Sequence, residues 1–112
     1  TKQYAPVLRQ LKSLTHYISA HLSKRKKLGR LEVSPTYVDI GTRAITDGYE
    51  IRRHLEDSVD GAIPIAMLWM DLNSLQRRPV LLVDMHKNLR PDAGTMGTIR
   101  NNFHGTKIQF SY

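Results

Sequence analysis

The chain reads as an α+β protein: a mostly antiparallel sheet of three to five strands with two helices packed on one face, in the order α-β-α-β-β-β. Three observations predict this. An apolar stripe at helical spacing opens the chain, a run that is apolar on both parities occupies its middle, and a cleanly alternating segment closes it. A length of 112 residues suits a single domain spanning 1–112 and not two. With Thr1 in place of an initiator methionine, this basic domain is expected to be part of a longer chain.

Tyr4, Val7, Leu8, Leu11, Leu14, Ile18 and Leu22 recur at intervals of three and four, which predicts one amphipathic helix. Gly29 stands where a left-handed residue would end it, and Lys26 and Lys27 would complement the last carbonyls. Leu31 and Val33 then alternate with polar residues until Pro35, and Tyr37 to Ile45 reads as a strand with Gly41 inside it. Asp47-Gly48 has two meanings, a tight hairpin turn or a helix cap completed by Glu50. The cap is preferred, because Ile51, Leu55 and Val59 follow at helical spacing and Asp60-Gly61 ends the run.

Ala62 to Leu72, AIPIAMLWMDL, suits a central strand covered on both sides, with Pro64 near its start. Residues 73–78 form a hairpin connection to a return strand from Pro79 to His86. Thr106 to Tyr112 sets Ile108, Phe110 and Tyr112 on one face against Lys107, Gln109 and Ser111 on the other. Between Lys87 and Gly105 no regular pattern emerges, and so long a stretch reads as a functional or disordered loop. Pro91-Asp92 would open a short helix there, but Gly94 and Gly97 oppose it.

Charge is distributed unevenly. Residues 1–30 carry Lys2, Arg9, Lys12, Lys24, Arg25, Lys26, Lys27 and Arg30 with no acid, a balance of +8; residues 31–72 balance at −5 and residues 73–112 at +4. A chain basic at both ends and acidic in the middle points to a polyanionic partner. There are no cysteines, which excludes disulfides and thiolate metal sites. No apolar run approaches the roughly 18 residues of a membrane span. The expected location is cytoplasmic.

The candidate nucleic-acid contacts are Arg9, Lys12, Lys24, Arg25, Lys26, Lys27 and Arg30 from the first region and Arg77, Arg78, Arg90, Arg100 and Lys107 from the last. Each phosphate that such cations neutralise releases counterions and adds binding free energy. Trp69, in a doubly apolar strand, is expected in the core, whereas Tyr37, Tyr49 and Phe103 are candidates for base stacking. His86 and His104 flank the irregular stretch and are of the type that supplies acid and base in metal-free RNA cleavage. Asp84 and His86 share a strand face and with Asp71 would suit a divalent ion, although strand-end polarity is the usual explanation for such residues; no metal or cofactor is expected. No phosphate-cradling glycine loop, serine elbow or paired-histidine helix occurs.

The function expected is a nucleic-acid-binding domain, for RNA or DNA, docking through the basic first helix and the basic C-terminal loop. Two alternatives stand beside it. One is a protein–protein or self-assembly module, with an acidic second helix at Glu50–Asp60 meeting a basic surface and the first helix's apolar stripe serving as the interface. The other is a metal-independent ribonuclease using His86 and His104.

Overall fold

The computed structural model describes residues 4–22, 28–41, 44–55, 62–73, 75, 77–86 and 93–112. Helix α1 (Ala5–Leu22) is followed by strands β1 (Leu28–Gly41), β2 (Ala44–Leu55), β3 (Ala62–Met70) and β4 (Pro79–Asp84), then helix α2 (Ala93–Asn102) and strand β5 (Lys107–Ser111). The five strands form one sheet in the order β1-β2-β3-β4-β5. The first four are successive antiparallel neighbours, and β5 runs parallel to β4. The α+β class, the mostly antiparallel sheet and the pair of helices agree with the sequence; the order does not.

Helix α1 forms where the apolar stripe predicts it. Tyr4, Val7 and Leu11 are buried and Leu8 packs beside them, while Arg9 and Lys12 face outward. Pro6 sits in the first turn, where its missing N–H costs nothing. The described helix runs to Leu22, and Leu28 and Gly29 already belong to β1, so Gly29 is not the helix terminator expected. Lys24–Lys27 lie outside the described residues.

The largest departure is β2. Asp47 and Gly48 neither cap a helix nor turn a hairpin; they lie inside a strand paired with β1 on one side and β3 on the other. Ile51, Leu55 and Val59 fit a helical period, but Tyr49, Ile51 and Arg53 fit a period of two just as well, and pairing on both edges decides between them. Two cross-sheet rows then carry the core: Pro35–Tyr49–Leu68–Leu81–Ile108 and Val33–Ile51–Ala66–Val83–Phe110. Ile51, Leu68 and Leu81 are completely buried, in one cluster with Tyr4, with Val7 and Leu11 of α1 and with Ile99 of α2.

Strand β3 is central yet contains Pro64. The register jumps from Ile51–Ala66 to Arg52–Pro64, leaving Ile65 as an extra residue. At such a bulge a proline withholds no ladder donor, and both Ile65 and Ala66 turn into the main core. Helix α2 occupies the stretch read as an irregular loop. Parallel strands cannot be joined by a tight turn and need a crossover of a dozen or more residues, usually helical. That requirement outweighs Gly94 and Gly97, and Ile99 and Phe103 are buried at 1% and 2% exposure.

On the opposite sheet face a smaller cluster holds Val38, Trp69 and Val80, with Met67 and Leu82 against it. Trp69 is a core residue, as its setting predicts. Gly48 makes this cluster possible: a Cβ there would stand 2.5 Å from the Leu68 carbonyl oxygen and 2.7 Å from Val38 Cγ2. Replacing Gly48 by alanine should therefore lower stability by roughly 1–3 kcal/mol, the usual cost of overpacking. Urea denaturation should show an earlier midpoint with an unchanged slope.

Candidate polyanion-binding surface

Strand directions sort the basic residues by position. The upper end of the sheet is where β3 stops and β4 and β5 start, since Met70 pairs with Pro79 and Val80 with Lys107. The lower end is where Asp84 pairs with Ser111 and Leu28 with Leu55. Arg77, Arg78 and Lys107 therefore share the upper corner of the β4–β5 edge, and all three are exposed. Arg30, near the start of β1, is exposed at the lower end of the other edge. These four cations thus occupy opposite ends of the sheet, while Arg9 and Lys12 lie on the outer side of α1.

The upper corner is built by the connection between β3 and β4. Asp71 closes it twice: its N–H donates to the Arg78 carbonyl at 3.1 Å, and its Oδ1 accepts the Asn73 N–H at 3.1 Å. Arg77 takes φ of 45°, the left-handed region. A side chain there costs roughly 1–2 kcal/mol that glycine would avoid.

Arg100 is exposed on α2 with its guanidinium 4.7 Å from the centre of the Phe110 ring. This cation–π contact positions the side chain at the outer edge of β5 without neutralising it. Among the described residues, none of Arg9, Lys12, Arg30, Arg77, Arg78, Arg100 and Lys107 is ion-paired. Arg90 lies outside the described residues, with Lys24, Arg25, Lys26 and Lys27.

Mid-chain arginines behave differently. Arg52 binds the Glu50 carboxylate and the Ala62 carbonyl, and His54 Nε2 stands 3.0 Å from Glu32 Oε2. Arg53 is 3% exposed among the core side chains, and burial pulls its guanidinium below the ordinary arginine value. These groups are structural. They also engage Glu32 and Glu50, two acids on the sheet face away from the main core.

The histidines do not form an acid–base pair. His86 follows β4 at the lower end, whereas His104 precedes β5 at the upper end. The span from Val80 to Asp84 alone separates these ends by about 13 Å at the usual strand rise. The same antiparallel geometry parts Asp71 from Asp84, so the divalent-ion grouping of Asp71, Asp84 and His86 does not assemble. Among the described residues no three histidine or acidic side chains converge. Phe103, a stacking candidate, is instead a core residue at 2% exposure. Tyr37 remains available at 77% exposure.

A feature invisible in the linear chain is a cleft of about 350 Å³ lined by Tyr4, Pro35, Thr36, Tyr37, Asp47, Gly48 and Tyr49. Its residues come from the start of α1 and from β1 and β2, and no spacing in the sequence announces their meeting. The Tyr4 and Tyr49 rings meet edge to face, with centroids 4.9 Å apart. Burial first, then Tyr49 and Asp47, raises the Tyr4 phenol above its ordinary value of 10.0.

No protein-family model, curated protein or solved structure matches the chain. The chemistry of the surface must therefore be read from its own residues.

A raised folded pKa means that the native state holds the Tyr4 proton more tightly than the unfolded chain does. The resulting stabilisation is complete below pH 10 and is lost as pH rises through the folded value. Thermal melts should accordingly fall off above pH 10, and Tyr4→Phe should flatten that alkaline decline; an equally steep decline in the variant would contradict it.

Proposed function

We propose that the chain is a nucleic-acid-binding domain that docks on the phosphate backbone. The observation carrying this reading is a division of labour among cations. Arg52 and Arg53 serve the fold, while Arg9, Lys12, Arg30, Arg77, Arg78, Arg100 and Lys107 are exposed without acid partners among the described residues. A net charge of +7 adds a long-range attraction for any polyanion. Lys24, Arg25, Lys26, Lys27 and Arg90 add to the same attraction by composition alone. With cations at both ends of the sheet, the backbone is met at separate points and not along one continuous track.

A second reading has its own support. Tyr37, Ile45, Leu72 and Leu75 are exposed at 77%, 70%, 63% and 105%, and all belong to the upper end of the sheet. Four such groups at one end suit a protein–protein contact, although Tyr112, 82% exposed, stands at the other end. The acidic helix and the free apolar stripe expected of such a module are not what the chain builds: Glu50 lies in a strand, and the α1 stripe at Tyr4, Val7 and Leu11 is buried in the chain's own core. Sedimentation across a protein dilution series, with Leu72→Ser/Leu75→Ser as control, tests the apolar end instead. Association that disappears in the variant supports this reading, and a monomer throughout rejects self-assembly.

The nucleic-acid reading predicts affinity for single-stranded RNA or DNA that falls linearly on a log–log plot against salt. Replacing Arg77, Arg78 and Lys107 together by alanine should reduce that slope by about 2, near 0.7 for each phosphate left without its cation. No binding at low salt, or a slope unchanged in the variant, overturns it. Arg77→Gly separates function from fold. It should leave stability unchanged or up to about 1 kcal/mol higher, while weakening nucleic-acid binding.

A further inference from the structure

We infer that the cleft between α1 and the β1–β2 pair is a pocket for one unpaired nucleobase, with guanine preferred. This deepens the nucleic-acid reading and rests on it. At about 350 Å³ the cleft lies at the small end of the range for ligand pockets. Among the described residues its walls are three tyrosines and a proline, and its charged group is the Asp47 carboxylate. Sequence-specific reading of single strands uses this combination: an aromatic face for stacking and a polar group for the base edge.

Each wall has a separate role. Tyr4 is 6% exposed and locked against Tyr49, so these two rings form the fixed side. Tyr37 is 77% exposed and offers a free ring face, which a flat base covers without displacing a protein neighbour. Pro35 lies directly across from Tyr49, and Tyr37 across from Asp47, so the stacking ring and the carboxylate stand in adjacent strands at one level.

Asp47 decides which base fits. It is exposed, and among the described residues no hydrogen bond or ion pair engages its carboxylate. An ionised carboxylate only accepts, and its two oxygens take two parallel donors. Guanine presents such a pair on its Watson–Crick edge, the N1–H and the N2 amino group. Adenine and cytosine offer one amino group beside an acceptor nitrogen, and uracil sets its single N3–H between two carbonyl oxygens that the carboxylate repels. No cation stands among the described residues that line the cleft, so the phosphates of the bound strand lie outside it, towards the basic residues described above.

Four five-nucleotide RNAs, UUGUU, UUAUU, UUCUU and UUUUU, test the assignment by fluorescence anisotropy at two salt concentrations. UUGUU should bind roughly tenfold tighter than UUUUU, and this ratio should persist when salt weakens both. Asp47→Asn should remove the guanine preference while leaving UUUUU equal or slightly tighter, because a negative charge is removed. Tyr37→Ala, at a position too exposed to endanger folding, should weaken UUGUU about tenfold.

Equal, salt-sensitive binding of all four RNAs would overturn the base pocket and leave backbone docking intact. Absence of any binding would overturn both. A guanine preference that survives Asp47→Asn and Tyr37→Ala would place base recognition elsewhere and sink the assignment. So would tetramethylammonium competing with UUGUU more strongly than with UUUUU, because the cleft would then be a cation cage.

Discussion

The sheet depends on how closely β1, β2 and β3 approach one another at Gly48. Val38 reaches from β1 towards Trp69 of β3, and the only way between them is over a residue with no side chain. Interiors close-pack to the density of organic crystals, so a single methyl group at this crossing has nowhere to go. With β2 seated there, its odd-numbered residues Tyr49, Ile51 and Arg53 turn towards the main core. Glu50, Arg52 and His54 turn to the other face, where they pair with one another and with Glu32 of β1. Both the core and the charge pattern follow from that placement.

Charge is consequently partitioned by strand position and not by residue type. Two neighbouring arginines, Arg52 and Arg53, face opposite sides of one strand and serve opposite ends: one closes an ion pair, the other is desolvated in the interior. Arg77 and Arg78, also neighbours, are both exposed because they precede their strand and do not lie within it. Burying an arginine is costly unless its donors are satisfied, and exposed cations without acid neighbours are costly only through mutual repulsion. The second cost is relieved by a polyanion. That difference gives the exposed set its functional interest.

Helix α2 shapes the other half of the molecule. By carrying the chain back from the lower end of β4, it lets β5 start beside the start of β4. Lys107 thereby joins Arg77 and Arg78 although all of β4 and α2 intervenes in the sequence, and His104 is parted from His86 although a shorter segment separates them in the chain. Proximity in sequence and proximity in space are inverted here by a single crossover connection.

Periodicity was sufficient for α1, β3, β4 and β5, because each has one dominant pattern and its partners lie on the side that the pattern names. Composition was sufficient to separate the basic terminal regions from the acidic middle. Tertiary structure decided β2 and α2, where local signals conflicted. Asp47-Gly48 with Glu50 imitates a helix start, yet hydrogen bonding to strands on both sides outweighs a capping interaction worth about 1 kcal/mol. Gly94 and Gly97 disfavour a helix, yet a parallel neighbour and two buried side chains, Ile99 and Phe103, require one. The cleft was beyond the reach of any pattern: Tyr4, Pro35 and Asp47 meet only after three elements have folded together. Local preferences amount to a few tenths to about one kcal/mol per residue, and contacts between distant segments exceed them wherever a strand must find both its neighbours.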